Sequence, residues 1–279
     1  MVEILAAVPD AHITSTVGLC NPNLFTLDDG GSYRGSKGQR WLWRCWLDFW
    51  QYATDMKIHY NAHVTTVFVG DMIEKDVKKR SKQVVTRNTA DVIQAAADTL
   101  APALAVTDRA FFIRGTGAHV GKSAEYEELL ARDCDVAEKN ENGRSSWWRL
   151  LAEFGGVLFD IEHHTSIGRK PWTLPNSLNG LAVELMIAYA GQKLPQVALR
   201  GHVHRPVDTF DNYPIRVLAL PSWQLLTEYT HRLGVCVPPT VGGVLFVCQD
   251  GEYSLVKKYY EPERTRAWKE PKPTQSQTG

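Results

Sequence analysis

The sequence predicts a layered α/β fold whose sheets are covered by helices. Apolar, β-branched runs alternate with helical patterns through most of the chain, and strands without helices fill its last third. A purely doubly wound sheet would keep the alternation to its end. In addition, nearly every predicted strand is followed by a residue that can bind a metal ion.

The first two thirds of the chain supply the alternating elements. Residues 4–8 are apolar and end at Pro9-Asp10, a pattern typical of a buried strand followed by a loop. Ser123 is expected to cap a helix that runs through Glu127 and Leu130. The other predicted elements of this part are strands at 64–69, 110–113, 157–161 and 196–199, and helices at 41–52, 89–105 and 178–190.

The last third contains strands and then a polar segment. Strands are predicted at 215–220, 243–248 and 253–259, and Asp250-Gly251 between the last two is a strong hairpin signal. The stretch 261–279 is charged and rich in Pro, Ser, Thr and Gln, which is typical of a flexible tail. We therefore expect one domain at 1–260 and a tail at 261–279.

Net charge, the N-terminal sequence and the cysteines bear on the partners and the location to expect for this protein. Lys plus Arg and Asp plus Glu both number 31, so any field that attracts phosphate must be local. The N-terminus lacks a basic region, and no apolar run is long enough to cross a membrane, so we expect no signal peptide and no membrane contact. Five scattered cysteines without a CxxC pair suit a reducing compartment, and we expect a cytoplasmic protein.

The candidate metal ligands lie at the ends of the predicted strands. In open α/β sheets, ligands bind at the carboxyl ends of strands. Carboxylate and imidazole together suit Mn, Fe, Zn or Ni, and a carboxylate can bridge two such ions. The motifs at the strand ends are Asp10-Ala11-His12, Gly70-Asp71, Gly115-Thr116-Gly117-Ala118-His119, His163-His164 and Gly201-His202-Val203-His204.

The order and spacing of these motifs resemble the calcineurin-like metallophosphoesterases. That family carries D-x-H, G-D-x-x-D, G-N-H-D/E, a single H and G-H-x-H, each just after a strand. The resemblance covers about residues 4–220 and implies a two-sheet sandwich flanked by helices. It also implies two divalent ions, with Mn as the first expectation and Fe, Zn or Ni as alternatives. On this resemblance Asp10, His12 and His204 would hold the first ion, and Asp71 would bridge both.

The sequence lacks one of the family's ligands for the second ion. The resemblance implies His202 and one of the adjacent His163 and His164 as ligands, and His163 is preferred because it directly follows its strand. Thr116 stands where the family has an Asn ligand, and its hydroxyl is a much poorer donor. A degenerate member that binds one metal ion and phosphate without turnover is therefore a rival interpretation.

The resemblance also implies a mechanism, hydrolysis of a phosphoester by in-line attack of a metal-activated water. Asp71 would position the ions. His119 lies two positions later than the family's catalytic His and would protonate the leaving group. Glu74 ends the motif that begins at Gly70, where the family has Asp. Arg114 or the basic segment that follows Asp71 would bind phosphate oxygens.

The substrate class is left open by the sequence. Lys78, Lys79 and Arg80 follow Asp71 closely and form either a solvated surface or a basic rim that attracts nucleic acid. The second interpretation favours a phosphodiesterase or nuclease. A phosphomonoesterase that acts on nucleotides or phosphoproteins is the alternative. Oligomeric state is not predicted.

Overall fold

The computed structural model of this protein describes residues 1–23, 25–79, 81–168, 171–235 and 237–263. The strands are β1 (Glu3–Val8), β2 (Phe25–Thr26), β3 (Ser32–Tyr33), β4 (His63–Val69), β5 (Arg109–Ile113), β6 (Ser146–Trp147), β7 (Arg149–Phe154), β8 (Val157–Glu162), β9 (Val197–Arg200), β10 (Val207–Asp208), β11 (Arg216–Ala219), β12 (Val241–Gln249) and β13 (Glu252–Tyr260). The helices are α1 (Lys37–Tyr60), α2 (Thr89–Leu104), α3 (Gly117–Val120), α4 (Glu125–Arg132), α5 (Asn176–Ala188) and α6 (Glu228–Arg232).

Two large sheets form the centre of the fold. The first has the strand order β13-β12-β1-β4-β5-β6, and the second has the order β10-β11-β9-β8-β7. Strands β1, β4 and β5 are parallel, as are β8, β9 and β11. Because parallel strands end at the same edge of a sheet, the loops that follow them emerge together within each sheet.

Apolar cores separate four layers. Side chains alternate across β1, so that Ile4 and Val8 pack in the core formed with α1, α2 and α4, whereas Leu5 and Ala7 pack in the core between the two sheets. Helix α5 covers the outer face of the second sheet through a third core. The order of layers is therefore helices, sheet, sheet and helix, which confirms the predicted two-sheet sandwich flanked by helices.

Local sequence explains where the longest helix begins and ends. Helix α1 extends beyond the predicted range 41–52 at both ends. Ser36 and Gln39 form a capping box, in which the Ser36 hydroxyl accepts from the Gln39 N–H and the Gln39 side chain accepts from the Ser36 N–H. Asn61 ends the helix in the left-handed conformation that Asn tolerates well.

Two predicted details of the chain differ from the structure. Ser123 does not cap α4, because Ala124 occupies the N-cap position with a φ of 53° and makes no side-chain cap bond. The strand β7 is not predicted, because its sequence RLLAEF lacks a regular alternation of polar and apolar residues. It forms a hairpin with β8 through Gly155 and Gly156, both at positive φ. The turn at Asp250-Gly251 does join β12 to β13, with φ values of 52° and 85°.

The C-terminal segment is only partly described. Residues 261–263 carry no regular secondary structure, and 264–279 lie outside the described residues, so the predicted tail and the domain boundary at 260 stay predictions. Within the described ranges, no helix has the length and apolar character needed to cross a bilayer.

Candidate metal centre

The predicted ligands meet where the parallel strands end. The loops after β1 and β4 are joined by a hydrogen bond from the Asp10 N–H to the Gly70 carbonyl at 2.9 Å. The loops after β8 and β9 are joined by one from the Gly201 N–H to the His163 carbonyl, also at 2.9 Å. Potential ligand atoms approach within 4.8 Å of one another in overlapping groups that together contain Asp10, His12, Asp71, Glu74, His119, His163, His164, His202 and His204.

The first group surrounds the side chain of Asp10. Its Oδ1 lies 3.2 Å from Nε2 of His204, and that nitrogen lies 3.2 Å from Nε2 of His12. Atoms bound to one ion at about 2.1 Å lie roughly 3.0–3.4 Å apart, so these spacings are those of a ligand set. The His202 N–H donates to Oδ2 of Asp10 at 2.9 Å, whereas the buried Oδ1 accepts no well-formed hydrogen bond from the described part of the chain.

The second group contains Asp71 and His163. Oδ2 of Asp71 lies 3.1 Å from Nε2 of His163. Nδ1–H of His163 donates to the Val69 carbonyl at 2.8 Å, which leaves Nε2 to face the centre. Oγ1 of Thr116 lies 3.3 Å from Nε2 of His163 and 3.2 Å from Nδ1 of His202. Thr116 therefore stands at ligand spacing, although its hydroxyl remains a weak donor.

His164 also belongs to this half of the centre. Its ligating nitrogen lies within 4.8 Å of those of His163 and His202. His163 is 1% exposed, however, whereas the side chain of His164 is exposed to solvent. Of the adjacent pair, His163 is thus the better placed ligand, and His164 lies at the rim.

The backbone of the ligand loops is strained. Asp10, His12, Asp71, His202 and His204 all adopt positive φ, between 44° and 71°. Non-glycine residues rarely do so, and such residues cluster at functional sites where the surrounding structure holds them in place. These bends turn five side chains toward one point.

Two glycines allow the loops to approach this closely. A Cβ at Gly70, whose φ is 79°, would lie 2.4 Å from Nδ1 of His163. A Cβ at Gly115 would lie 2.2 Å from Oδ1 of Asp71. Any side chain at either position would push the ligand loops apart.

Glu74 links a ligand to the predicted acid. Nδ1–H of His119 donates to Oε2 of Glu74 at 2.6 Å, and Nδ1 of His12 lies 3.3 Å from the same oxygen. Burial opposes protonation of His119, but the hydrogen bond to Glu74 and the charge of Asp71 raise its pKa to about 9. In the metal-free protein this pKa favours the imidazolium at neutral pH, the form that a general acid needs.

Two buried carboxylates give the centre negative charge. Asp10 and Asp71 are at most 1% exposed and stay ionised: burial opposes this, yet neighbouring imidazoles hold both pKa values below the usual range. Burial likewise opposes protonation of His163, but Asp71 and Asp10 raise its pKa to about 10 in the metal-free protein, so an ion bound at Nε2 would displace this proton. Burial lowers the pKa of His12, which keeps it neutral as a metal ligand must be. The residues fit divalent ions, because buried carboxylates are stable only when paired or bound to metal.

A cavity of about 840 Å³ opens onto the centre. Lys78 lines it, whereas Lys79 and Arg114 are not among the described residues that do. Arg114 instead donates from Nε to Ser146 at 2.9 Å and stacks over Trp148. The structure therefore does not place the predicted Arg114 contact at the centre. Arg80 lies outside the described residues. The cavity walls contain His12, Asp71, Glu74, His119, His202, His204 and residues of the 76–83 loop and of α6.

One buried carboxylate near the centre was not predicted as a site residue. Glu127 of α4 is fully buried and accepts hydrogen bonds from the N–H groups of Met72 and Gly115. Nothing in the sequence distinguishes it from Glu125 and Glu128 in the same helix.

The chain was compared with protein-family models, curated proteins and solved structures, and only the solved structures gave matches. No family model and no curated protein matches the sequence. Among solved structures, a Thermotoga maritima protein is 12% identical with a TM-score of 0.38, over 91% of this chain and 97% of that one. A dimetal phosphatase from Danio rerio is 10% identical with a TM-score of 0.40, over 90% and 94%. A 5'-nucleotidase from Candida albicans is 9% identical with a TM-score of 0.41, over 79% of this chain and 46% of that one.

Proposed function

We propose that this protein is a metal-dependent phosphoester hydrolase. The observation that carries the proposal is a pair of adjoining ligand groups beside one cavity: Asp10 lies with His12 and His204 in one group and with Asp71 and His163 in the other, and the buried Asp71 lines the cavity. A single carboxylate shared by two ions is the usual arrangement of dinuclear phosphoesterases.

Each of the two ions would have its own ligands in this chain. Asp10, His12 and His204 would hold one ion, and His163 and His202 the other. When bound, two divalent ions would supply charge neutralisation for the phosphoryl group and activation of a water nucleophile. Mn is the first ion to test, with Fe, Zn and Ni as alternatives, because imidazole and carboxylate donors suit all four.

The remaining roles belong to side chains of the cavity. His119 lines the cavity and its Nδ1 contacts Oε2 of Glu74, so its Nε2 would donate a proton to the leaving-group oxygen. Glu74 would keep His119 protonated and oriented. Lys78 would attract the anionic substrate.

Among substrates, we propose phosphodiesters first, with nucleic acid as the candidate polymer. Lys78 on the cavity wall supports this choice. A phosphomonoester is the alternative within the same chemistry. A protein that binds metal and phosphate without turnover is the rival from another class, and the weak donor at Thr116 is its motivation.

One experiment separates these three. A chromogenic phosphodiester and the matching phosphomonoester would be offered side by side to protein loaded with Mn, while metal per chain is measured on the same sample. We expect hydrolysis that rises with the second ion and that is faster with the diester. Faster turnover of the monoester would reassign the substrate class. A chain that holds two ions and hydrolyses neither compound would overturn the proposed function.

A further inference from the structure

Glu127 connects the two loops that carry the middle of the metal centre. It lies on α4 with 0% exposure. Its Oε2 accepts from the Gly115 N–H at 2.5 Å, and its Oε1 accepts from the Met72 N–H at 3.2 Å. The two amides belong to the loops after β5 and β4, so one carboxylate joins them.

Each of these amides is adjacent to a residue of the centre. Met72 follows Asp71, and Gly115 precedes Thr116. The Thr116 N–H donates to Oδ1 of Asp71 at 2.6 Å. With Oδ1 engaged in this way, Oδ2 of Asp71 is the oxygen that faces Nε2 of His163 at 3.1 Å. The orientation of the bridging carboxylate thus depends on the register between the two loops, which Glu127 fixes.

The setting of Glu127 differs from that of an ordinary buried acid. Among the described residues no basic side chain forms an ion pair with it, and both of its hydrogen bonds go to the ligand loops. A buried carboxylate without a cationic partner is costly, so a role in packing alone would favour an apolar side chain. The adjacent Glu128 shows the contrast, because it accepts from Ser145 and Ser146 and pairs with Arg132, away from the centre.

We propose that Glu127 is a positioning residue of the metal centre, which sets the orientation of Asp71 and the approach of Thr116 and thereby the affinity for the second ion. This inference rests on the proposed function, since it presupposes that the centre binds two ions. Outer residues that orient ligands typically change metal affinity 10–100-fold when they are replaced.

The test is Glu127→Gln, with Glu128→Gln as the matched control. The variant keeps the shape of the side chain, but its NH₂ group faces one of the two amides and cannot accept from it. Mn binding would be measured by calorimetry, with His163→Ala used to identify the second binding event. We expect Glu127→Gln to weaken the second event about tenfold or more and the first by less than about threefold. Glu128→Gln should leave both events unchanged, while lowering the unfolding temperature of the metal-free protein.

The outcomes are distinguishable. If the wild-type chain binds no ion, the proposed function fails. If it binds two ions and Glu127→Gln does the same with unchanged affinities, or if both Gln variants weaken the two events equally, only the role of Glu127 is overturned. Should Glu127→Gln not fold, Glu127→Asp is measured by the same criteria, because its shorter side chain keeps the carboxyl group and cannot reach both amides.

Discussion

Nδ1 of His119 lies 2.6 Å from Oε2 of Glu74, deep in the wall of the cavity. The same oxygen lies 3.3 Å from Nδ1 of His12. One carboxylate therefore orients both a predicted metal ligand and the predicted acid. It directs the Nε2 atom of each imidazole away from itself, toward the metal centre or the cavity.

Replacing Glu74 by Gln should lower the pKa of His119 from about 9 toward the ordinary value near 6.5. The amide cannot stabilise the imidazolium as the carboxylate does. In the metal-free protein, NMR titration of the His119 ring would report the change directly. Glu228→Gln is the control, because Glu228 lines the same cavity and pairs with Arg232. An unchanged titration of His119 in Glu74→Gln would show that this contact does not set its charge.

The same change has a consequence for stability. A pKa raised in the folded state contributes stability that is fully present below pH 6.5 and is lost as the pH rises through about 9. In Glu74→Gln this loss should shrink, so the unfolding temperature of the metal-free variant should fall less between pH 6 and pH 10 than that of the wild type.

Asp71→Asn should leave the fold intact and remove the bridge. The amide is neutral and offers a single oxygen to a centre that otherwise shares a carboxylate. We expect fewer than two ions per chain and a loss of turnover beyond about a hundredfold, the upper end of what an outer residue costs. Circular dichroism would establish folding, and metal content and hydrolysis would be measured on one preparation. Wild-type hydrolysis by a metal-loaded variant would rule out the bridging role.

The adjacent histidines make a matched pair of variants. His163 is buried, its Nδ1–H is bound to the Val69 carbonyl, and its Nε2 faces Asp71, whereas His164 is exposed. His163→Ala should therefore abolish the second binding event in calorimetry. His164→Ala should retain it with an affinity within about tenfold of wild type. The reverse ranking would assign the ligand to His164.

Part of this centre could be predicted because position along a strand carries the information. The preference for His163 over His164 rests on its place directly after its strand, and in the structure His163 also continues the alternation of Phe159 and Ile161, which face the core between the sheets. Asp10 and Asp71 are predicted as ligands because they directly follow buried strands. Glu127 could not be found in this way, since its importance comes from loops that are distant in sequence.

Lys78 and Lys79 provide a second matched pair. Lys78 lines the cavity, while Lys79, at a φ of 52°, is not among the described residues that do. If the substrate is nucleic acid, Lys78→Ala should weaken binding of an oligonucleotide and reduce the salt slope by about one, and Lys79→Ala should do neither. Turnover of a small chromogenic phosphodiester should barely change in either variant. Equal effects of both variants on the oligonucleotide would instead indicate a diffuse surface charge.

Thr116 lies beside the proposed site of the second ion. It is the N-cap of α3, yet its hydroxyl makes no capping bond and lies 3.3 Å from Nε2 of His163 and 3.2 Å from Nδ1 of His202. Thr116→Val removes this oxygen while keeping the shape, and should raise the metal concentration needed for the second binding event only a few-fold, because a neutral hydroxyl is a weak donor. Thr116→Asn should lower that concentration, since the amide oxygen is a better ligand for Mn and Asn is favoured at an N-cap.

A metal titration followed by both calorimetry and hydrolysis would test this ranking. Activity should rise with the second binding event. The metal concentration needed for this rise should increase from Asn to Thr to Val at position 116. His119→Ala serves as the control, because it should lower turnover at saturating metal without changing the metal concentration needed for the second binding event. Full activity at one ion per chain, or an identical titration for all three residues at position 116, would contradict a second ion held beside Thr116.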